Sequence, residues 1–326
     1  MMQFTVKPPS CNLPFKIKHK DALCFIGSCF SDTLSHYFLE RKFSVLANPH
    51  GIIYNPVSIA KSISSISHQS QPDNSLIVEN DSFYSSYDYH SSIQGNSQEE
   101  LIANVEKINQ SSRNWLQKTD VVFITLGTAW VQIFKKNKEV VANNLKQPAD
   151  LFDQKLLTLS EINDSITSIH LAILDCNPKC KIVFTVSPVR HLRNGLIENN
   201  RSKARLLEAI HGACDTLKNV FYFPSYELVL DVLRDYRFFK KDMAHPNEQS
   251  TDYVWEYILE NLVEPTDYEV IQRLYNLWLA CQHRLMNPEG EHAQKFIQNQ
   301  LAHVKDLENN FSYLNLKEER NYFENL

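Results

Sequence analysis

Glycine is scarce in this sequence, with seven in 326 residues, against an ordinary usage of about 7%. In a chain so poor in it, the remaining glycines mark places where a side chain does not fit. Gly27, Gly51 and Gly127 each sit at or just after an expected strand, where a positive φ or a close backbone approach is required. A Gly-rich phosphate or dinucleotide fingerprint is missing, so no nucleotide cofactor is expected. No run of about 18 apolar residues exists, so no membrane span is expected. The first twenty residues carry Pro8, Pro9, Lys16, Lys18 and Lys20 and lack the apolar centre of a secretory signal. A basic excess is missing too: the net charge of −5 argues against a nucleic-acid partner. The seven cysteines, at 11, 24, 29, 176, 180, 214 and 281, show no paired spacing. They read as free thiols in a reducing compartment, and the chain as cytoplasmic. Cys281 and His283 lack further ligands at zinc spacing, so no metal is expected.

What is present is core-forming. The chain is 43% hydrophobic and 22% charged, enough for a large folded unit. Apolar runs at 22–26, 43–47, 121–126, 181–186 and 220–223 alternate with stretches of helical spacing at 31–42, 56–66, 98–116, 160–176, 199–218 and 247–262. Ser31 or Asp32 is the expected cap of the first helix, Asn55 of the second and Ser160 of the fourth. Residues 67–97, rich in Ser, Asn and Asp, read as a surface excursion, and Lys135–Lys138 as the tip of a hairpin. Strands alternating with helices imply right-handed crossovers and a three-layer α/β/α parallel sheet. Ligands then bind outside the carboxyl ends of the strands. The expected organisation is an α/β domain over residues 1–264, with 67–119 largely an insertion. A C-terminal helical hairpin over 265–326 would pack on that domain or on another subunit of a homo-oligomer.

The chemistry concentrates at two places. Gly27-Ser28-Cys29-Phe30 closes the first apolar run and opens a helix, whose free N–H groups and partial positive charge lower a thiol pKa or stabilise an oxyanion. Asp242-Met243-Ala244-His245 precedes Pro246 and the last helix of the domain. Its spacing can set a carboxylate on one imidazole nitrogen and leave the other free as a base. Arg190 and His191, just after a strand end, could hold an anionic substrate group. Trp130 and Tyr54 could stack on a sugar ring.

These segments resemble the GSCFA-domain family, usually grouped with the SGNH/GDSL-like hydrolases. The resemblance rests on Phe25-Ile26-Gly27-Ser28-Cys29-Phe30-Ser31, Asn48-Pro49-His50-Gly51-Ile52-Ile53-Tyr54-Asn55-Pro56, Thr125-Leu126-Gly127-Thr128-Ala129-Trp130, Ser187-Pro188-Val189-Arg190-His191 and Asp242-Met243-Ala244-His245-Pro246, in that order. It implies a flavodoxin-like sheet and an esterase or acyltransferase acting on an acyl ester, acetyl on a carbohydrate included. It also implies a base, His245, oriented by Asp242. Laid without gaps on the superfamily's Gly-Asp-Ser-Leu block, the first motif puts Cys29 at the nucleophile position, with Ser28 its close alternative. The implied oxyanion donors are the nucleophile's own N–H, the Gly51 N–H and a group near Gly127. Where the superfamily usually places an oxyanion asparagine stands Ala129, so Thr128, Asn55 or His90 would have to substitute. The rival expectation is an inactive scaffold that binds a glycan or a protein.

Overall fold

The computed structural model describes residues 6–11, 13–80, 82–287 and 289–326. Five strands form one parallel sheet: β1 (Ala22–Gly27), β2 (Ser44–Ala47), β3 (Val121–Leu126), β4 (Lys181–Val186) and β5 (Val220–Tyr222). Their order across the sheet is β2-β1-β3-β4-β5, the flavodoxin-like arrangement in which the winding direction reverses between β1 and β3. The inner strands β1, β3 and β4 are buried on both faces, which is why they read as unbroken apolar runs.

Alternate residues face opposite layers. Leu23, Phe25, Phe123 and Val183 meet α1 (Cys29–Glu40) and the domain's last helix, Glu248–Leu262. Cys24, Ile26, Ile124, Ile182 and Phe184 meet α2 (Pro56–His68), α4 (Leu159–Cys176) and α5 (Gly195–Thr216). A further helix, α3 (Gln98–Leu116), packs against α2 and α4, and its Trp115 indole donates to the Leu23 carbonyl of β1. The last helix of the domain is α6 (Glu248–Leu262).

Two helix starts differ from the sequence reading. Ser28, not Ser31 or Asp32, caps α1: β1 ends so abruptly at Gly27 that the helix begins at the next residue but one, and the Phe30 N–H donates to Ser28 Oγ. Thr158, not Ser160, caps α4, through a capping box with Glu161. Asn55 caps α2 as the sequence implies. The hairpin around Lys135–Lys138 forms, but as part of a three-stranded antiparallel sheet whose third strand, Phe152–Leu156, escaped the sequence reading. With residues 153–155 exposed, that strand carries no apolar alternation to detect.

Three helices, not two, follow α6: α7 (Tyr268–Gln282), α8 (Glu291–Asn310) and the short α9 (Lys317–Glu324). Val270, Leu274, Leu277, Ile297, Val304, Leu307 and Phe323 give them a core of their own. Of the turn at 287–290, Pro288 lies outside the described residues. The Arg41 guanidinium ties this bundle to α1 and α6, lying 4.0 Å from the Tyr275 ring and 4.4 Å from the Trp255 ring. No helix among the described residues is long and apolar enough to cross a membrane.

Candidate active site

The strand ends that bear the motifs meet where the winding reverses. Gly27 has a φ of 146°, and a Cβ there would lie 2.3 Å from the Thr125 carbonyl oxygen, so only glycine lets β1 turn this tightly beside β3. The turn delivers Ser28 and Cys29 to the rim. A cavity of about 320 Å³ opens there, lined by Ser28, Cys29, Ile52, Tyr54, Gly127, Thr128, Ser187, Val189, Arg190, His191, Leu192 and His245. The two distant motifs therefore share one cavity.

The two candidate nucleophiles differ in freedom. Ser28 is 4% exposed, its Oγ accepts the Phe30 N–H as the helix cap, and its own N–H is bonded to the Thr125 carbonyl. Cys29, the first residue of α1, is half-buried. Burial pushes its thiol pKa up, while the N–H groups of Cys29 and Phe30 and the charge of Lys203 draw it back down.

The acid–base loop is held by its own backbone. Met243 adopts a left-handed φ of 57°. The turn directs the N–H groups of Ala244 (2.9 Å) and His245 (3.0 Å) onto Asp242 Oδ1. Asp242 Oδ2 then takes the imidazole at 2.6 Å from Nδ1. Those N–H groups, with the imidazole, hold the Asp242 carboxyl far below the usual carboxylate range. With Nδ1 engaged, Nε2 is the nitrogen left for the cavity that His245 lines.

Arg190 also fastens this loop. Its Nη1 donates to the Met243 carbonyl (3.0 Å), its backbone N–H donates to the Ala244 carbonyl (3.1 Å), and its guanidinium lies 4.1 Å from the Phe239 ring. The side chain expected to face an anion is thus committed to the turn that carries Asp242.

Most donors that the resemblance assigns to an oxyanion have other partners. The Gly51 N–H closes a turn onto the Asn48 carbonyl at 2.7 Å, and the Gly127 and Thr128 N–H groups both go to the Tyr54 carbonyl. Thr128 Oγ1 pairs with Ser202 Oγ at 3.0 Å. Asn55 is occupied as a helix cap and by Ser58 Oγ. His90 lies outside the cavity: its ring packs on Gly51 and its Nδ1 pairs with Ser92. Trp130 also lies off the main cavity, lining with Tyr54, Asn55 and His191 a small adjoining pocket of about 40 Å³. Among the described residues, no group of three or more His, Cys, Asp or Glu side chains gathers to hold a metal.

Two further residues stand out, His191, which the sequence reading named beside Arg190, and Lys203, which it passed over. His191 lines both cavities with its Nδ1 buried and unpartnered. Burial and the positive charges of Lys203 and Arg193 lower its pKa. Lys203 is 2% exposed, and its ammonium donates to the carbonyls of Gly127 and Ser187, each at 2.6 Å. One sign of Lys203 was available: it lies three residues before Leu206, in register with the apolar stripe of α5.

No curated protein matches the chain. Among solved structures, a carbohydrate esterase family 3 protein from Talaromyces cellulolyticus matches over 78% of this chain and 98% of its own, at 10% identity and a TM-score of 0.34. The GSCFA domain protein, C-terminal domain, matches residues 276–326, and the GSCFA family matches residues 22–257, which hold every motif described above. The chain belongs to the GSCFA family.

Proposed function

We propose that this protein is an SGNH-like esterase or acyltransferase working through a covalent intermediate on Cys29. The observation that carries this reading is one cavity lined by both Cys29 and His245, the latter bonded through Nδ1 to Asp242 at 2.6 Å. In the first step His245 Nε2 takes the thiol proton as sulfur attacks the acyl carbon. The imidazolium then gives that proton to the departing alcohol oxygen, leaving a thioester on Cys29. Water or a second alcohol attacks the thioester, with His245 now accepting that nucleophile's proton and returning it to sulfur. Asp242 holds the ring and balances its charge. Ser28 is the less suitable nucleophile, since its oxygen caps α1 and its N–H is already bonded.

The lining favours an acyl group. Ile52, Tyr54, Val189 and Leu192 form its apolar side, and no carboxylate stands among the lining residues. Alanine replacement of Cys29, Ser28 and His245 one at a time, assayed on a series of short-chain acyl esters, tests the reading. Loss with C29A and H245A and retention with S28A are expected; wild-type turnover in C29A and H245A would refute it.

A second reading has its own observation. With the Gly51, Gly127 and Thr128 N–H groups bonded elsewhere and Ala129 in place of an oxyanion asparagine, the cavity suits a scaffold that binds a glycan or a protein without turnover. Under that reading, iodoacetamide and fluorophosphonates label neither Cys29 nor Ser28 selectively.

A further inference from the structure

Lys203 is a buried charged group at this site that the mechanism above leaves unused. It enters from α5, beneath the rim, and is 2% exposed. Burying an ammonium is costly unless it is well bonded. Here its bonds are to two main-chain carbonyls, Gly127 O just after β3 and Ser187 O just after β4, both at 2.6 Å. No carboxylate pairs with it among the described residues. Its charge therefore remains uncompensated under a cavity whose lining holds no acid. Gly127 and Ser187 both line that cavity, so the same ammonium fixes two of its walls.

Two groups feel this charge directly, Cys29 from α1 and His191 from the segment after β4. Around them, Asp32 of α1 acts on Cys29, Arg193 acts on His191 and on Tyr54, and His245 lines the same cavity from the late loop. With Cys29 the influence is mutual: the cation favours the thiolate and the thiolate favours the cation.

We infer that Lys203 is a positioning residue: its buried ammonium joins the ends of β3 and β4 and supplies the positive potential that biases Cys29 toward its thiolate. This rests on the reading of Cys29 as nucleophile. It also gives the site a source of positive charge where neutral oxyanion donors are bonded elsewhere.

The sign of the pH dependence follows from the shift on Lys203. Burial lowers its pKa from the ordinary lysine value of 10.5 to about 7. The ammonium is thus present below neutrality and is lost as the pH rises past that point. Its help to Cys29 is greatest on the acid side.

The test is the rate of iodoacetamide alkylation of Cys29 against pH, in the full chain and in K203Q and K203M, with Cys29 resolved from the other cysteines by peptide mass spectrometry. At about pH 6 both variants should react about tenfold more slowly than the wild type, and the difference should shrink by about pH 9. A variant with the wild-type circular dichroism spectrum and a superimposable profile overturns the inference. If neither variant folds, the wild-type profile answers instead: its rise with pH should flatten at about pH 7, where the ammonium is lost, and a profile that follows a single thiol titration with no inflection there overturns the inference. Alkylation needs no ester. A chain that cleaves no ester but shows the Lys203 effect keeps this inference and loses the proposed function.

Discussion

The two sides of the cavity are built by opposite strategies. On the late-loop side, the bonds onto Asp242 all come from within a few residues, Arg190 alone fastening the turn from a distance, and the Asp242 and His245 side chains remain about half exposed. On the rim side, at Gly51, Gly127 and Thr128, backbone donors are bonded to partners distant in sequence as well as near, and the charge comes from a lysine buried in a helix. On one side an imidazole and a carboxylate are bonded side by side; on the other, the N–H groups at Gly51, Gly127 and Thr128 are already bonded. A local motif survives in a changed environment because its geometry depends on itself, whereas an oxyanion site depends on several strand ends meeting with N–H groups unspent.

This contrast can be broken at measurable points. The largest effects should come from the reacting groups. C29A and H245A are each expected to lower kcat/KM on acyl esters by about 10²–10⁴-fold, the range for losing a general acid–base partner; near-normal rates would assign the chemistry elsewhere.

Next comes D242N, which keeps the shape of the turn but withdraws the charge behind the imidazole. A fall of about 10²-fold in kcat is expected with little change in KM. The same variant carries a pH signature. A carboxyl held low in the folded state adds stability above its ordinary pKa of 3.8, and that contribution is lost as acid brings the pH down toward its lowered value. The stability gap between wild type and D242N in urea should therefore be open at neutral pH and narrow in acid. A gap that widens in acid would contradict the assignment.

R190A should act more weakly, by about tenfold in kcat, because it loosens the turn without removing a reacting group. R190K should rescue little, since a lysine lacks the planar fork that bonds Met243 while stacking on Phe239. Full rescue by lysine would show that charge alone matters there.

The smallest effect on rate is expected from S28A. Losing a helix cap costs about 1 kcal/mol of stability, read as a lower melting temperature, with turnover close to wild type. A collapse of activity in S28A with its stability intact would transfer the nucleophile from sulfur to oxygen.

Much of this was open to reading in the amino-acid order. The five strands were visible because a parallel sheet buried on both faces needs unbroken apolar runs, as at Val121–Leu126 and Lys181–Val186. The meeting of Gly27-Ser28-Cys29 with His245 followed from strand ends gathering on one rim. The strand Phe152–Leu156 was hidden because its middle is solvated, and the helix Lys317–Glu324 because eight residues give too few turns for a period to show. The fates of the Gly51 and Gly127 N–H groups were hidden because a sequence names a donor but not its partner.

The sequence by itself determined which residues could react and the local turn that pairs Asp242 with His245, because both depend on side-chain type and on spacings of a few positions. Only the tertiary structure decided which of Ser28 and Cys29 is free, which way Arg190 points and what lies under the rim. Those outcomes depend on burial and on hydrogen-bond partners from elsewhere in the chain: Thr125 for Ser28, Met243 for Arg190, Gly127 and Ser187 for Lys203.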